Sequence, residues 1–194
     1  MTNTHSFYKD YRLPDLETER LLLRPMTEKD APDVVRWRNI PRIATVSESQ
    51  VGGSMITLES HLAWFRRTRN TRIDYVLTLK ESKQPIGVWN LKEYSNEMFK
   101  NAMELGRLIG EEWALGKGYA KEATILWIKF AFEYLSLETI ISKSEITNII
   151  PQKINKELGF EYFAETEHQD KKWITLILTK EKNSRLVNSG GAKA

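Results

Sequence analysis

The 194-residue chain has no cysteine and only three histidines, His5, His61 and His168. Without cysteine there is no disulfide, no thiolate metal site and no cysteine nucleophile. The histidines are scattered and form no HExxH pair, so no metal is expected. No apolar run approaches the ~20 residues that span a bilayer, so no membrane partner is expected. The opening "MTNTHSFYKDYRLPD" lacks an apolar signal core, which makes the cytoplasm the expected compartment. Internal repeats and low-complexity blocks are also missing.

What is present fits one domain. The net charge of +3 is compatible with an anionic ligand and does not by itself argue for nucleic acid. Basic charge concentrates in "RRTRNTR", Arg66–Arg72, which reads as a solvated helix end whose arginines complement the dipole. The organisation expected is an extension over residues 1–15, a domain over 16–180 and a frayed polar tail over 181–194.

Hydrophobic periodicity gives the order βααβββαβαββ. "ERLLLRPM" reads as a strand. A helix follows, with Thr27 and Asp30 spaced like a capping box. "TLESHLAWFRRTRN" is a second helix, with Leu58, Leu62 and Phe65 on one face. "IDYVLTLK" and "QPIGVWNLKEY" form a hairpin, and "NAMELGRLI" a strand with Met103, Leu105, Arg107 and Ile109 on one face. "YAKEATILWIKFAFEYL" is apolar nearly all round and is expected to pack on a sheet. "TIISKSEI" is a strand, "NIIPQKINKELGF" a short helix closed by Gly159, and the strands Phe160–Ala164 and "KKWITLILTK" end the fold. The fold class is α/β, one domain around a mixed, mostly antiparallel sheet flanked by helices.

One stretch asks for a functional explanation. In "EEWALGKGYAKEA", Glu111–Ala123, Gly116 and Gly118 flank Lys117 immediately before the long apolar helix. A helix start presents unpaired N–H groups and a positive dipole end, which is where phosphate binds. A plain turn is the alternative; the position between a strand and a long helix favours phosphate.

Together these patterns resemble the GNAT acetyltransferase superfamily, over about Leu16–Lys180. "GKGYA" is similar to the family's pyrophosphate loop, with Trp113 where glutamine or arginine is usual. "NIIPQKINKELGF" is similar to a second family segment, with Asn148, Gly159 and Phe160 in register, Pro151 replacing a small residue and Asn155 replacing the usual tyrosine. "LETERLLLRPMTEKD" resembles ribosomal-protein N-terminal acetyltransferases. "WRN" at Trp37–Asn39 and "ITLESHLAWF" at Ile56–Phe65 resemble members that acetylate amino-sugar nucleotides.

The resemblance implies acetyl-CoA as acyl donor, bound by Leu115, Gly116, Lys117, Gly118, Tyr119, Ala120 and Asn148. It implies direct transfer to a primary amine, since no cysteine can carry the acyl group. Glu104, a carboxylate in mid-strand, is the candidate general base; an ion-paired or exposed carboxylate is the alternative, and Glu93 and Glu111 are weaker candidates. Asn155 stands at the position of the catalytic acid but can only donate a hydrogen bond to sulfur; Tyr119 is an alternative acid. Asn148 either caps its helix or meets the pantetheine arm. Arg38, Asn39, His61 and Trp64 are the candidate acceptor residues, with Arg36 and Arg42 nearby. For His61 and Trp64 packing is the competing reading. Acceptor choice is expected to lie in the first two helices and in the loop Pro41–Ile56, with its Gly52 and Gly53.

The leading acceptor is a small amine such as an amino-sugar nucleotide. The alternatives are a protein N-terminus, or no acceptor at all in a non-catalytic acetyl-CoA-binding module. A basic nucleic-acid-binding domain is disfavoured because it leaves the glycine turn without a purpose. A homodimer is compatible with the sequence.

Overall fold

A computed structural model describes residues 12–46 and 55–188. Eight strands form one sheet: β1 (Leu16–Glu17), β2 (Leu21–Pro25), β3 (Arg72–Leu79), β4 (Pro85–Glu93), β5 (Ala102–Ile109), β6 (Thr139–Glu145), β7 (Glu161–His168) and β8 (Lys171–Thr179). Their spatial order is β1-β2-β3-β4-β5-β6-β8-β7. Every neighbouring pair is antiparallel except β5 and β6. Six helices flank the sheet: α1 (Ala31–Arg38), α2 (Pro41–Ala44), α3 (Leu58–Thr68), α4 (Tyr119–Lys129), α5 (Ile149–Glu157) and α6 (Lys180–Asn188).

Alternation along the strands sorts side chains to two faces. One face carries Leu21, Leu23, Tyr75, Leu77, Trp89, Met103, Leu105 and Leu178, packed with Ala123, Trp127 and Ile128 of α4. Tyr75, Trp127 and Phe130 make an aromatic centre, with the Tyr75 and Trp127 rings edge-on at 4.9 Å. The other face is smaller: Val76, Val88 and Leu108 against Val34, Trp37 and Ile43. Gly110, next after β5, has no room for a side chain: a Cβ there would lie 2.0 Å from the Trp37 ring.

Local rules hold where the sequence stated them. The Asp30 carboxylate accepts from the Thr27 N–H at 2.9 Å and so starts α1. Gly159, at φ +88°, ends α5.

Three elements depart from the sequence reading. β1 and α2 are too short to show a period, at 2 and 4 residues. The segment expected as a frayed tail forms α6, because Leu186 gives it an apolar contact: a Cβ on Gly159 would lie 2.2 Å from Leu186 and 3.8 Å from Leu178. Gly52 and Gly53 of the expected acceptor loop lie outside the described residues.

The parallel pair positions the site. β4 and β5 stay in register from Gly87↔Ile109 to Glu93↔Met103. β5 and β6 pair only at Ala102↔Thr139, Met103↔Ile140 and Glu104↔Ile141. Beyond Glu104 they part, so Leu105–Ile109 has no strand partner on that edge. The sheet therefore contains an unpaired edge in its middle, with α4 starting beside its open end.

Candidate active site

Between β5 and α4 the chain makes the glycine turn. Gly116 and Gly118 adopt φ of +73° and +80°. At Gly116 an added Cβ would meet nothing within 4 Å, so the backbone conformation, not lack of space, calls for glycine. Among the described residues, the backbone N–H groups of residues 116–120 donate to no protein acceptor. These five consecutive donors stand at the positive end of α4, Gly116–Gly118 exposed and Tyr119 and Ala120 partly buried, an arrangement suited to an anion.

Arg20 braces the turn from beneath. Its Nη1 donates to the Lys117 carbonyl at 3.1 Å, and its Nε to Glu122 at 2.7 Å. Burial alone would raise the Glu122 pKa, but hydrogen bonds from Thr18 and Arg20 outweigh it and hold the carboxyl below its ordinary value. The Arg20 guanidinium lies 4.6 Å over the Tyr119 ring, and Tyr119 packs on the main core. Lys117 places its ammonium 5.3 Å from the ring of Trp113, the residue standing where glutamine or arginine was expected. Leu115 is exposed at the rim.

Asn148 precedes α5, but its side chain makes no capping bond; its carbonyl instead accepts from Gln152 Nε2 at 3.1 Å. Asn155 is buried, 1% exposed, and its amide is engaged at both ends: Nδ2 donates to Ser142 Oγ at 2.8 Å, and Oδ1 accepts from Arg107 Nη2 at 2.7 Å. Arg107 Nη2 also donates to the Pro151 carbonyl at 3.0 Å. Its Nη1 is sealed from solvent without an acceptor among the described residues. Burial pulls the Arg107 pKa down to about 10.

Glu104 points to the opposite face of β5 from Arg107. It is largely buried and ion-pairs with Lys92 at 2.9 Å. Lys92 is in register with Arg72 on β3, so Arg72, Lys92 and Glu104 make one charged row across the sheet. The row ends at the candidate acceptor residues. Arg72 pairs with Asp74 at 2.5 Å and stacks 4.5 Å over Trp64, while Arg38 lies 5.4 Å from the same ring. His61 is buried 5.3 Å from Trp64, and among the described residues neither of its ring nitrogens has a hydrogen-bond partner. Burial, then the Arg38 charge, lowers the His61 pKa to about 4, so the ring is neutral at pH 7.

Asn39 has a different task. Its Nδ2 donates to the Ile56 carbonyl at 2.8 Å and its Oδ1 accepts from the Ile56 N–H at 2.9 Å, tying the end of α1 to the start of α3. Of the weaker base candidates, Glu111 is held below its ordinary pKa first by Arg36, against its burial, and also by the Trp37 indole. Glu93 is exposed at the end of β4.

The structure thus brings Glu104, Arg38, His61 and Trp64 onto one face, and the N–H cradle and Asn155 to the other side of the opening. Sequence reading missed Arg20, Lys92 and Arg107. Arg107 carried a signal: it falls on the same strand face as Met103, Leu105 and Ile109, all apolar.

The chain matches the acetyltransferase (GNAT) domain family over residues 20–161, which contain the cradle, the opening and α5. The chain belongs to the GNAT acetyltransferase family. Solved GNAT structures share the fold at low identity. A spermidine N-acetyltransferase from Vibrio cholerae, solved with CoA and spermine, is 16% identical, covers 86% of this chain and 99% of its own, and has a TM-score of 0.73. A ribosomal-protein-S5-alanine acetyltransferase from Vibrio fischeri is 19% identical, covers 87% and 97%, and scores 0.70. Apo FdhC, described as a nucleotide-linked sugar GNAT, is 20% identical, covers 92% and 97%, and scores 0.74. No curated protein matches the chain.

Proposed function

We propose that this GNAT domain moves an acetyl group from acetyl-CoA to a primary amine within one ternary complex. The observation that carries the reading is the N–H cradle at residues 116–120, where the chain leaving β5 enters α4. A pyrophosphate fits the cradle, and an extended amide-bearing arm can pair with the free edge of β5.

The acceptor enters from the α1 and α3 face. Glu104 removes a proton from the ammonium, directly or through water, and the amine attacks the thioester carbonyl. The C–N bond forms, the C–S bond breaks and its electron pair leaves on sulfur. We infer an amino-sugar nucleotide as acceptor: the "WRN" and "ITLESHLAWF" segments support it, as do the cationic side chains of Arg38 and Arg72 beside Trp64. Stacking of a substrate ring on Trp64 is not part of the reading, because two guanidinium groups already lie over that ring.

The test is acetyl transfer measured with amino-sugar nucleotides, polyamines, aminoglycosides and an N-terminal peptide. The expected result is turnover of an amino-sugar nucleotide with intersecting initial-velocity lines, and a Glu104→Gln variant slower by about 10²–10⁴ in kcat. Turnover of the peptide alone would transfer the assignment to protein N-termini. Acetyl-CoA binding without turnover of any amine would make the chain a binding module.

A further inference from the structure

In the catalytic-acid position, where the resemblance expects a tyrosine, the chain has Asn155, which has no proton to give. The structure shows what Asn155 does instead. It links β6 to Arg107 on β5, through Ser142 Oγ and the Arg107 guanidinium. With the Pro151 carbonyl, it holds Arg107 Nη2 from two sides and leaves Nη1 sealed and without an acceptor among the described residues.

Among the described residues no carboxylate pairs with this buried cation, and its Nη1 has no acceptor. The carboxylates of β5, β6, α4 and α5 are engaged elsewhere. Glu104 on β5 faces the other side of the sheet and pairs with Lys92. Glu145 on β6 pairs with Lys171, Glu122 on α4 with Arg20, and Glu157 on α5 with Lys121. A buried guanidinium held only by neutral acceptors is costly, and such groups mark places where a ligand supplies the missing charge. Its position says which charge. Along β5, Arg107 lies between Glu104, where the opening closes, and the end of the strand, from which the chain continues to the glycine turn. A donor arm running along this edge brings its sulfur, not its phosphates, to Arg107.

We propose that Arg107, oriented by Asn155, neutralises the CoA thiolate as it leaves and so replaces a proton donor. The electron pair of the breaking C–S bond stays on sulfur as a thiolate paired with the guanidinium. Two protons leave the nitrogen, one from the ammonium before attack and one after the C–N bond has formed; Glu104 takes each in turn and passes it to solvent. Arg107 is a catalytic residue in this scheme and Asn155 a positioning residue. The proposal rests on acetyl-CoA being the donor.

The experiment titrates the thiol of CoA bound to the protein by its thiolate absorbance, with desulfo-CoA as the blank. It compares wild type, Arg107→Lys, Arg107→Met and Asn155→Ala. A free thiol has a pKa near ~8.5. In wild type the bound thiol should titrate at least about one unit lower, a tenfold gain in thiolate over thiol. Arg107→Lys should keep part of that shift and Arg107→Met lose it. Asn155→Ala should fall between wild type and Arg107→Met. In Arg107→Met, kcat should fall about 10- to 100-fold with little change in KM for acetyl-CoA, as expected for an interaction made only as charge develops. If the bound thiol titrates alike in wild type and Arg107→Met, or Arg107→Lys, folded, is no better than Arg107→Met, the proposal is overturned while the donor assignment stands. If neither CoA nor desulfo-CoA binds wild type, both fall.

Discussion

His61 sits on α3 with both ring nitrogens buried and, among the described residues, unpartnered, beside Arg38 and Arg72. Its ordinary pKa of about 6.5 drops to about 4 in the fold, chiefly through burial. Between these values the unfolded chain binds more protons than the folded one. The stability linked to His61 is therefore complete above about pH 6.5 and lost as pH falls toward 4. Replacing both unmet nitrogens by an apolar group of similar size should cost little. A His61→Leu variant should match or exceed wild type in urea midpoint at pH 7 and show a flatter decline between pH 6.5 and 4. A large loss at pH 7 would show that the ring has a polar role in the free protein. Asp30 gives a contrasting case. Burial would raise its pKa, but hydrogen bonds from Arg24 and Thr27 prevail and lower it. Its contribution is present above the unfolded value of about 3.9 and is lost as pH falls through the lower folded value. Asp30→Asn should cost about 1 kcal/mol at neutral pH, as for a lost helix cap, and flatten the acid limb below about pH 4.

At the level of elements, α4 and the β3–β4 hairpin were legible because their apolar periods run over many residues. The glycine turn was legible for a different reason: two residues needing positive φ just before an apolar helix define a helix start by local chemistry. The elements missed lack such signals. β1 and α2 are shorter than one period, and α6 has mostly polar residues, with Leu186 as its docking contact. Leu186→Ala should lower stability by about 1 kcal/mol, measured by chemical unfolding. No change would mean that α6 adds nothing to the fold. Site residues divide in the same way. The cradle is contiguous in sequence and was readable. The row Arg72, Lys92 and Glu104 and the chain Arg107, Asn155 and Ser142 each join separate strands or helices, and only strand register brings their members together.

Over the whole molecule, one break in strand pairing organises the rest. The sheet is continuous on both sides of it, and the main core with α4 holds β5 in place while β6 parts from it. The opening has a carboxylate, Glu104, on one face and a guanidinium, Arg107, on the other, and the chain leaving β5 leads to the row of N–H groups at the start of α4. Among the described residues no helix is long and apolar enough to cross a membrane. The central claim is that the cradle holds the acetyl-CoA pyrophosphate. The most direct measurement is thermal and chemical unfolding with and without acetyl-CoA, in wild type and in Gly116→Glu. That substitution points a carboxylate into open space beside the cradle, at a backbone cost of about 1 kcal/mol in the free protein. Acetyl-CoA at a hundred times its Kd should add about 2.7 kcal/mol to the stability of wild type and almost nothing to Gly116→Glu. Equal stabilisation of both proteins would place the ligand elsewhere, and no stabilisation of wild type at saturating acetyl-CoA would contradict the account.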